Sequence, residues 1–218
     1  LTLVQGTLLD LDGAELARHV AGCDAVASCL GHTMSLRGIY GPPYRLVTEA
    51  TRRLCAAIRE RNAGGRTKFI LMNTAGNRNR GLAEPVSRRE AAVLGLLRLL
   101  VPPHADNEDA AEFLRMSLGP DDDAIEWAAV RPDTLVDRAE ASDYEVYPSP
   151  TRSAIFDPGR TSRVNVARFM GELITSEAVW GRWRGRMPVI YDADGGRGDG
   201  RAPRPEATAG ARAGRGRP

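Results

Sequence analysis

The sequence is poor in several things that particular chemistries need. Among 218 residues there is one lysine, Lys68, so any reaction requiring an amine has a single candidate. Three cysteines (Cys23, Cys29 and Cys55) are an odd number with no Cys-x-x-Cys pair, and the three histidines are dispersed. That excludes a disulfide framework and a structural zinc site, and no metal ligand set is assigned. Two of the cysteines lie in or beside an apolar run, so they are expected to be small buried hydrophobes in a reducing compartment. No apolar run reaches the length of a membrane span and no signal peptide opens the chain, which makes the cytoplasm the default location. Charge of one sign is also scarce: the formal net charge is +2, and six arginines against Asp194, Asp199 and Glu206 put +3 of it after residue 192. The rest of the chain is therefore close to neutral, with no basic footprint for nucleic acid.

What is present is a set of short, continuous apolar runs. Ala25 to Leu30 lies between Gly22-Cys23-Asp24 and Gly31. Lys68 to Gly76 and Ile125 to Pro132 are runs of the same kind. Runs of this length, unbroken by polar alternation, are strands buried on both faces. Helical patterns separate them. Asp12 can cap a helix over about Gly13 to Ala21, with Leu16 and Val20 on one stripe. Pro43 suits the first turn of a helix over about Tyr44 to Asn62, which Ala63-Gly64-Gly65 ends. Ser87 and Glu90 form a capping-box pattern for a helix over about Arg88 to Leu100. Its leucines wrap most of the way round, so it should be largely buried or face a partner. Pro102-Pro103 breaks it, and a further helix follows over about Asp106 to Leu118. Leu1 to Gln5 reads as a short strand, and His32 to Pro43 as a loop long enough to be a lid or binding loop. Tyr144–Tyr147 and Ser153–Phe156 are β-prone, consistent with a hairpin or flap. A helix from about Arg163 to Ile174 precedes a turn flanked by Trp180 and Trp183, then a last strand over Met187–Tyr191.

Strands alternating with helices predict an α/β fold, a three-layer parallel sheet with helices on both sides. Ligands of such sheets bind beyond the carboxyl ends of the strands. Here those ends read Leu30-Gly31-His32, Asn73-Thr74-Ala75-Gly76 and Val130-Arg131-Pro132-Asp133. One domain over residues 1–192 is expected. The Gly, Arg, Pro and Ala of residues 193–218 offer almost nothing to bury and predict a disordered tail.

The motifs come in a telling order: Val-x-Gly, Asp-x-x-x-Leu, then Gly-x-Asp-Ala-Val-x-x-x-Leu-Gly. After a helix come Lys-Phe-Ile-Leu-Met-Asn-Thr and a helix ending Phe-Leu-Arg, then Trp-x-x-Val-Arg-Pro and Ser-Arg-Val-x-Val-Ala. From about Val4 to Asp192 this series resembles the atypical short-chain dehydrogenase/reductase superfamily. Within it, the NAD(P)H-binding group of NmrA-like proteins and the biliverdin reductase B or flavin reductase type is the nearest resemblance. The resemblance implies a Rossmann-like fold, NADP or NAD as cofactor, and hydride transfer to an unidentified small acceptor. The alternative it carries is a non-catalytic dinucleotide-sensing regulator, as among NmrA-like relatives.

The resemblance also assigns residues. Thr7 and Leu8 correspond to the turn that contacts adenine, with Thr7 where relatives have aspartate. Leu30, Gly31 and His32 correspond to the loop passing the ribose and pyrophosphate, where a glycine lets backbone approach closely. His32 itself is expected to face solvent. Asn73 and Thr74 sit where the superfamily has a strand-end serine beside the nicotinamide, which makes Thr74 the catalytic candidate. Arg131 and Pro132 match the Val-Arg-Pro whose backbone borders the nicotinamide pocket, and the arginine side chain is as well suited to an ion pair at the sheet end. Asn77, Arg78, Asn79 and Arg80 suit a cofactor phosphate or an anionic substrate, but a solvated loop is the favoured reading. Two family features are expected to be absent. The family's opening strand, glycine-rich turn and second strand precede the segment matched at Leu1, so the chain reads as an N-terminally truncated member. None of the five tyrosines has lysine four residues on, so a Tyr-x-x-x-Lys mechanism is excluded.

Overall fold

The computed structural model describes residues 2–33, 35–61, 65–119 and 122–193. The expected tail, from residue 194 onward, lies outside them. Five strands form the main sheet in the order β1 (Ala25–Ser28), β2 (Thr67–Met72), β3 (Ile125–Pro132), β7 (Val189–Asp192) and β5 (Tyr144–Tyr147). All neighbours are parallel except β5, which runs antiparallel to β7 at the far edge. A second, two-stranded parallel sheet pairs β4 (Thr134–Val136) with β6 (Arg160–Ser162).

The two central strands show why the apolar runs were continuous. Phe69 and Leu71 of β2, with Trp127 and Ala129 of β3, enter one core. Ile70, Ala128 and Val130 point the other way into a second core. Helices cover both faces. On the first lie α1 (Gly13–Val20), α3 (Leu46–Arg61) and α5 (Pro102–Phe113), which runs on as a π-helical turn, Leu114–Leu118. On the second lie α6 (Arg163–Thr175) and α7 (Glu177–Trp183), which bring in Phe169, Leu173, Trp180 and Trp183. Each large side chain so buried contributes about 1.5–3 kcal/mol of transfer free energy. Sequence-coded caps set the helix starts: Asp12 and Glu15 form a reciprocal capping box on α1, and Ser162 accepts from Asn165 N on α6.

Several expectations give way. Residues 2–6 form no strand, and Leu3 is 92 % exposed; with no neighbouring strand to take their hydrogen bonds, apolar residues alone do not make one. The sheet therefore starts at β1, whose outer edge carries no partner among the described residues. Cys23 and Cys29, expected to be buried, are exposed because they flank that edge strand; only Cys55, on α3, is buried, and burial pushes its thiol up to about 12. The His32–Pro43 loop contains a short helix, α2 (Leu36–Tyr40), capped by Ser35. The helix α4 (Arg88–Leu100) has the expected bounds and Ser87 cap, but it is not largely buried. It lies against α5 by one side, so Leu94 is buried while Leu99 is 78 % exposed. Trp180 and Trp183 do not flank a turn; they lie on α7, whose Ser176 N-cap was a legible start signal. Ser153–Phe156 is a turn, and β5 pairs with β7 instead of forming a hairpin.

Candidate functional site

The carboxyl ends of β2 and β3 adjoin and are laced beyond the regular ladder. Asn73 N donates to Val130 O at 2.7 Å and Ala75 N to Pro132 O at 2.9 Å. Thr74 therefore sits at the point where the chain leaves the sheet, half-buried. Its Oγ1 accepts from Gly76 N at 3.3 Å, which leaves the hydroxyl hydrogen free to donate. Two asparagines fix this turn against α5. Asn73 Nδ2 and Asn77 Nδ2 both donate to Asn107 O, at 2.9 and 3.2 Å. Asn73 Oδ1 in turn accepts from Thr74 N and Asn77 Nδ2. Asn77 and Asn79 are buried, so the polar stretch after Thr74 is a built turn, with only Arg78 and Arg80 facing solvent.

Arg131 is fully buried at the end of β3. It makes a bidentate pair with Glu84, Nη2 to Oε1 at 2.7 Å and Nη1 to Oε2 at 3.2 Å. Nε donates to Met187 O, Nη1 to Asn77 O and Nη2 to Pro148 O. Those bonds occupy all five guanidinium N–H groups. Of the two roles the sequence allowed, the side chain takes the ion pair and has no donor left for a ligand. Through Glu84, which also accepts from Asn79 N at 2.7 Å, it clamps the 77–84 loop to the sheet.

His32 does not face solvent. Its side chain is 5 % exposed, with Nε2 bonded to Asp106 Oδ2 at 2.8 Å and Nδ1 to Gly38 O at 3.2 Å. Asp106 also accepts from Val47 N and Thr48 N at the start of α3. This carboxylate ties the loop after β1 to α5, whose next residue, Asn107, holds the Thr74 turn. The loops after β1 and β2 are thus joined through a single turn of α5.

Two groups at the crevice escaped sequence reasoning. His104, in the first turn of α5, stands over the Thr74–Gly76 turn: a Cβ at Gly76 would lie 3.7 Å from its Cε1 and 3.8 Å from Thr74 Oγ1. Its Nε2 is buried and makes no hydrogen bond, with Glu108 Oε1 standing 3.5 Å away. Burial, reinforced by the Arg98 charge, lowers its pKa from the ordinary histidine value. Proximity to Pro102-Pro103 masked it as a helix-start residue. Asp133, just past β3, accepts from Gly159 N at 2.9 Å and Thr134 N at 2.8 Å. Burial outweighs those bonds and raises its pKa above the usual aspartate value. Gly159 is required there, since a Cβ would stand 2.3 Å from the Tyr191 ring.

Of the predicted residues, then, Asn73, Thr74, Arg131 and Pro132 converge at the ends of β2 and β3, and His32 joins them through α5. Leu30 and Gly31 lead into that loop. Gly31 is exposed with open space beside it, and Leu30 is half-buried. Thr7 and Leu8 lie in a turn on the α1 and α3 side, where Leu8 packs against the first core. No group of three or more metal-ligating side chains occurs among the described residues. Nor is any helix among them long and apolar enough to cross a membrane.

A mainly parallel sheet covered on both faces, with polar turns gathered at the carboxyl ends of adjoining strands, defines a Rossmann-like α/β domain. The profile of the NAD(P)H-binding family matches residues 1–177, and the chain belongs to that family. No curated protein matches the sequence. Among solved structures, the oxidoreductase ylbE of Lactococcus lactis is similar, at 14 % identity and TM-score 0.58 over 88 % of this chain and 72 % of that one. A wide-type short-chain dehydrogenase/reductase of Veillonella parvula, solved in complex with NADP, has 14 % identity and TM-score 0.57 over the same shares of the two chains. ChuY, an anaerobillin reductase of Escherichia coli, has 16 % identity and TM-score 0.57 over 88 % of this chain and 76 % of that one. At such identities the likeness is one of fold.

Proposed function

We propose that this protein is an NAD(P)H-dependent reductase that transfers hydride to a small organic acceptor held at the ends of β2 and β3. Family membership supplies the dinucleotide. Once bound, it supplies the hydride, and a proton from solvent completes reduction of the acceptor. The crevice residues fit the nicotinamide end: an open Gly31 backbone, a Pro132 main chain at the sheet end and a half-buried Thr74 hydroxyl. The observation that carries the reading is that half-buried hydroxyl at the end of β2, whose oxygen accepts from Gly76 N and whose hydrogen is not spent on the protein, so that it can donate to a carbonyl oxygen. Asn73, Arg131 and His32 act as positioning residues, holding the turn, the 77–84 loop and the loop after β1. Leu30 borders the cofactor passage, and Thr7 and Leu8 would border the adenine end, with Leu8 anchored in the core. A cytoplasmic location agrees with the three unpaired thiols.

The test is consumption of NADPH and NADH against flavin, quinone and carbonyl acceptors. Turnover with any of them supports the reductase. Saturable dinucleotide binding with no turnover on the whole panel replaces it with the sensing role.

A further inference from the structure

Gly76 is a glycine that the local fold does not require. Its backbone lies outside the left-handed region, and a Cβ built on it would meet only ordinary contacts, 3.7 Å from His104 Cε1 and 3.8 Å from Thr74 Oγ1. Beyond its own chain neighbours, no other atom of the described residues lies within 4 Å of that point. The missing side chain therefore leaves a gap, with the Thr74 hydroxyl on one side and the His104 ring edge on the other. The ring is backed by Glu108, one turn further along α5, whose Oε1 stands 3.5 Å from His104 Nε2. Both side chains are 13 % exposed. The other carboxylate oxygen, Oε2, faces Arg98 of α4 and, at 3.5 Å, Arg80 of the 77–84 loop. Nε2 is thus shut in toward Glu108, which leaves Nδ1 as the nitrogen that can serve the gap. A buried ring nitrogen without a hydrogen bond costs the fold stability. At reaction sites such pairs are commonly long before the reactant binds and tighten afterwards.

We propose that the gap over Gly76 seats the reacting heteroatom of the acceptor, and that His104 is the acid that protonates it. This rests on the reductase reading and deepens it, since it gives the second hydrogen of the reduction a source in the chain. The acceptor's double bond takes the hydride at one end, and its π pair moves to the heteroatom at the other. That atom, already accepting from the Thr74 hydroxyl, takes the proton from Nδ1 of the His104 imidazolium. The ring is left neutral, with Nε2–H turned to Glu108, and regains a proton from solvent when the product leaves. Glu108 is a positioning residue: its carboxylate holds the ring and offsets its charge. Burial and the Arg98 charge act against the imidazolium, so it gives up its proton more readily than an ordinary one.

The test is made on the full chain, with whichever flavin, quinone or carbonyl acceptor turns over with NADPH. Gly76→Ala should keep its melting temperature and dinucleotide Kd yet lose turnover about a hundredfold, because its methyl fills the gap. His104→Ala should lose about a hundredfold in kcat with little change in KM. Added imidazole should restore part of that loss, and none of the loss in Gly76→Ala. Native turnover should climb as pH falls from 8 to 6, the direction in which His104 takes its proton, and His104→Gln should show no such rise. A second readout needs no turnover: the His104 Cε1–H resonance followed against pH. Glu108→Gln should lower its midpoint, because the carboxylate that favours the imidazolium is gone. Full turnover in Gly76→Ala or in His104→Ala overturns the proposal, as does a midpoint that Glu108→Gln leaves in place. Each of those results leaves the reductase reading standing. Failure of the native chain to turn over any acceptor removes both.

Discussion

Arg131 and the pair Arg80 and Arg98 are the same residue type within one region of the fold, yet they do opposite things. Arg131 is buried and spends every donor on the protein. Arg80 and Arg98 keep side chains about half in solvent and share the Glu108 carboxylate. A buried guanidinium must be satisfied completely or it destabilises the fold, so it becomes scaffold. A half-exposed one can exchange a protein carboxylate for a ligand anion at little cost. The number of N–H groups a guanidinium has left over, and not its distance from the crevice, sets whether it can still take an anion.

The comparison can be broken most forcefully at Glu84. Glu84→Ala leaves a buried, uncompensated Arg131 and should lower stability by about 3–5 kcal/mol in denaturant unfolding. Arg131→Met should cost less, because it removes the charge along with its partner's reason to ionise. If both cost under about 1 kcal/mol, Arg131 is not the clamp described.

Thr74→Val keeps shape and removes the donor. It should reduce turnover by roughly tenfold or more, the loss of one hydrogen bond to the reacting oxygen. Dinucleotide binding and melting temperature should hardly change. Equal turnover in the variant would shift the catalytic role elsewhere, with His104 the next group to test.

His104 gives a pH signature. Its folded-state pKa lies below the unfolded value of 6.5, so the unfolded chain takes up its proton first as pH falls. The stability its neutral form carries is present above pH 6.5 and declines as pH drops below it. Unfolding free energy measured from pH 7.5 to 5.5 should fall less steeply in His104→Gln than in the native chain.

The smallest effect belongs to the exposed Arg80. Arg80→Gln should leave stability within about 0.5 kcal/mol of the native protein, as an exposed ion pair does. A large loss would make Arg80 structural and blur the contrast with Arg131.

The scaffold was largely legible. The apolar runs that become β2 and β3 announced their burial on both faces, and Asp12, Ser87 and Ser162 marked helix starts through ordinary capping chemistry. What was not legible depended on neighbours that local pattern does not name. Val4 and Leu3 look like strand residues, but only a paired strand would make them one. Cys23 and Cys29 look interior until β1 proves to be an edge. The leucines of α4 encode an apolar helix without saying how much of it α5 covers. At the site, Thr74 and Asn73 were visible from their place after an apolar run. His32 read as solvent-facing because Asp106, its partner, lies 74 residues away. Asn77 read as solvated for the same reason, since its partner Asn107 is distant in sequence; Asn79 is held by the nearby Glu84, which is itself buried only through Arg131.

Gly159 has a consequence for how this protein can vary. Its backbone amide feeds the Asp133 carboxylate while the Tyr191 ring occupies the space a side chain would need. In a saturation library selected for folded protein, position 159 should therefore tolerate almost nothing but glycine. Relief is expected only from a compensating change that shrinks residue 191, so the two positions should drift together or not at all.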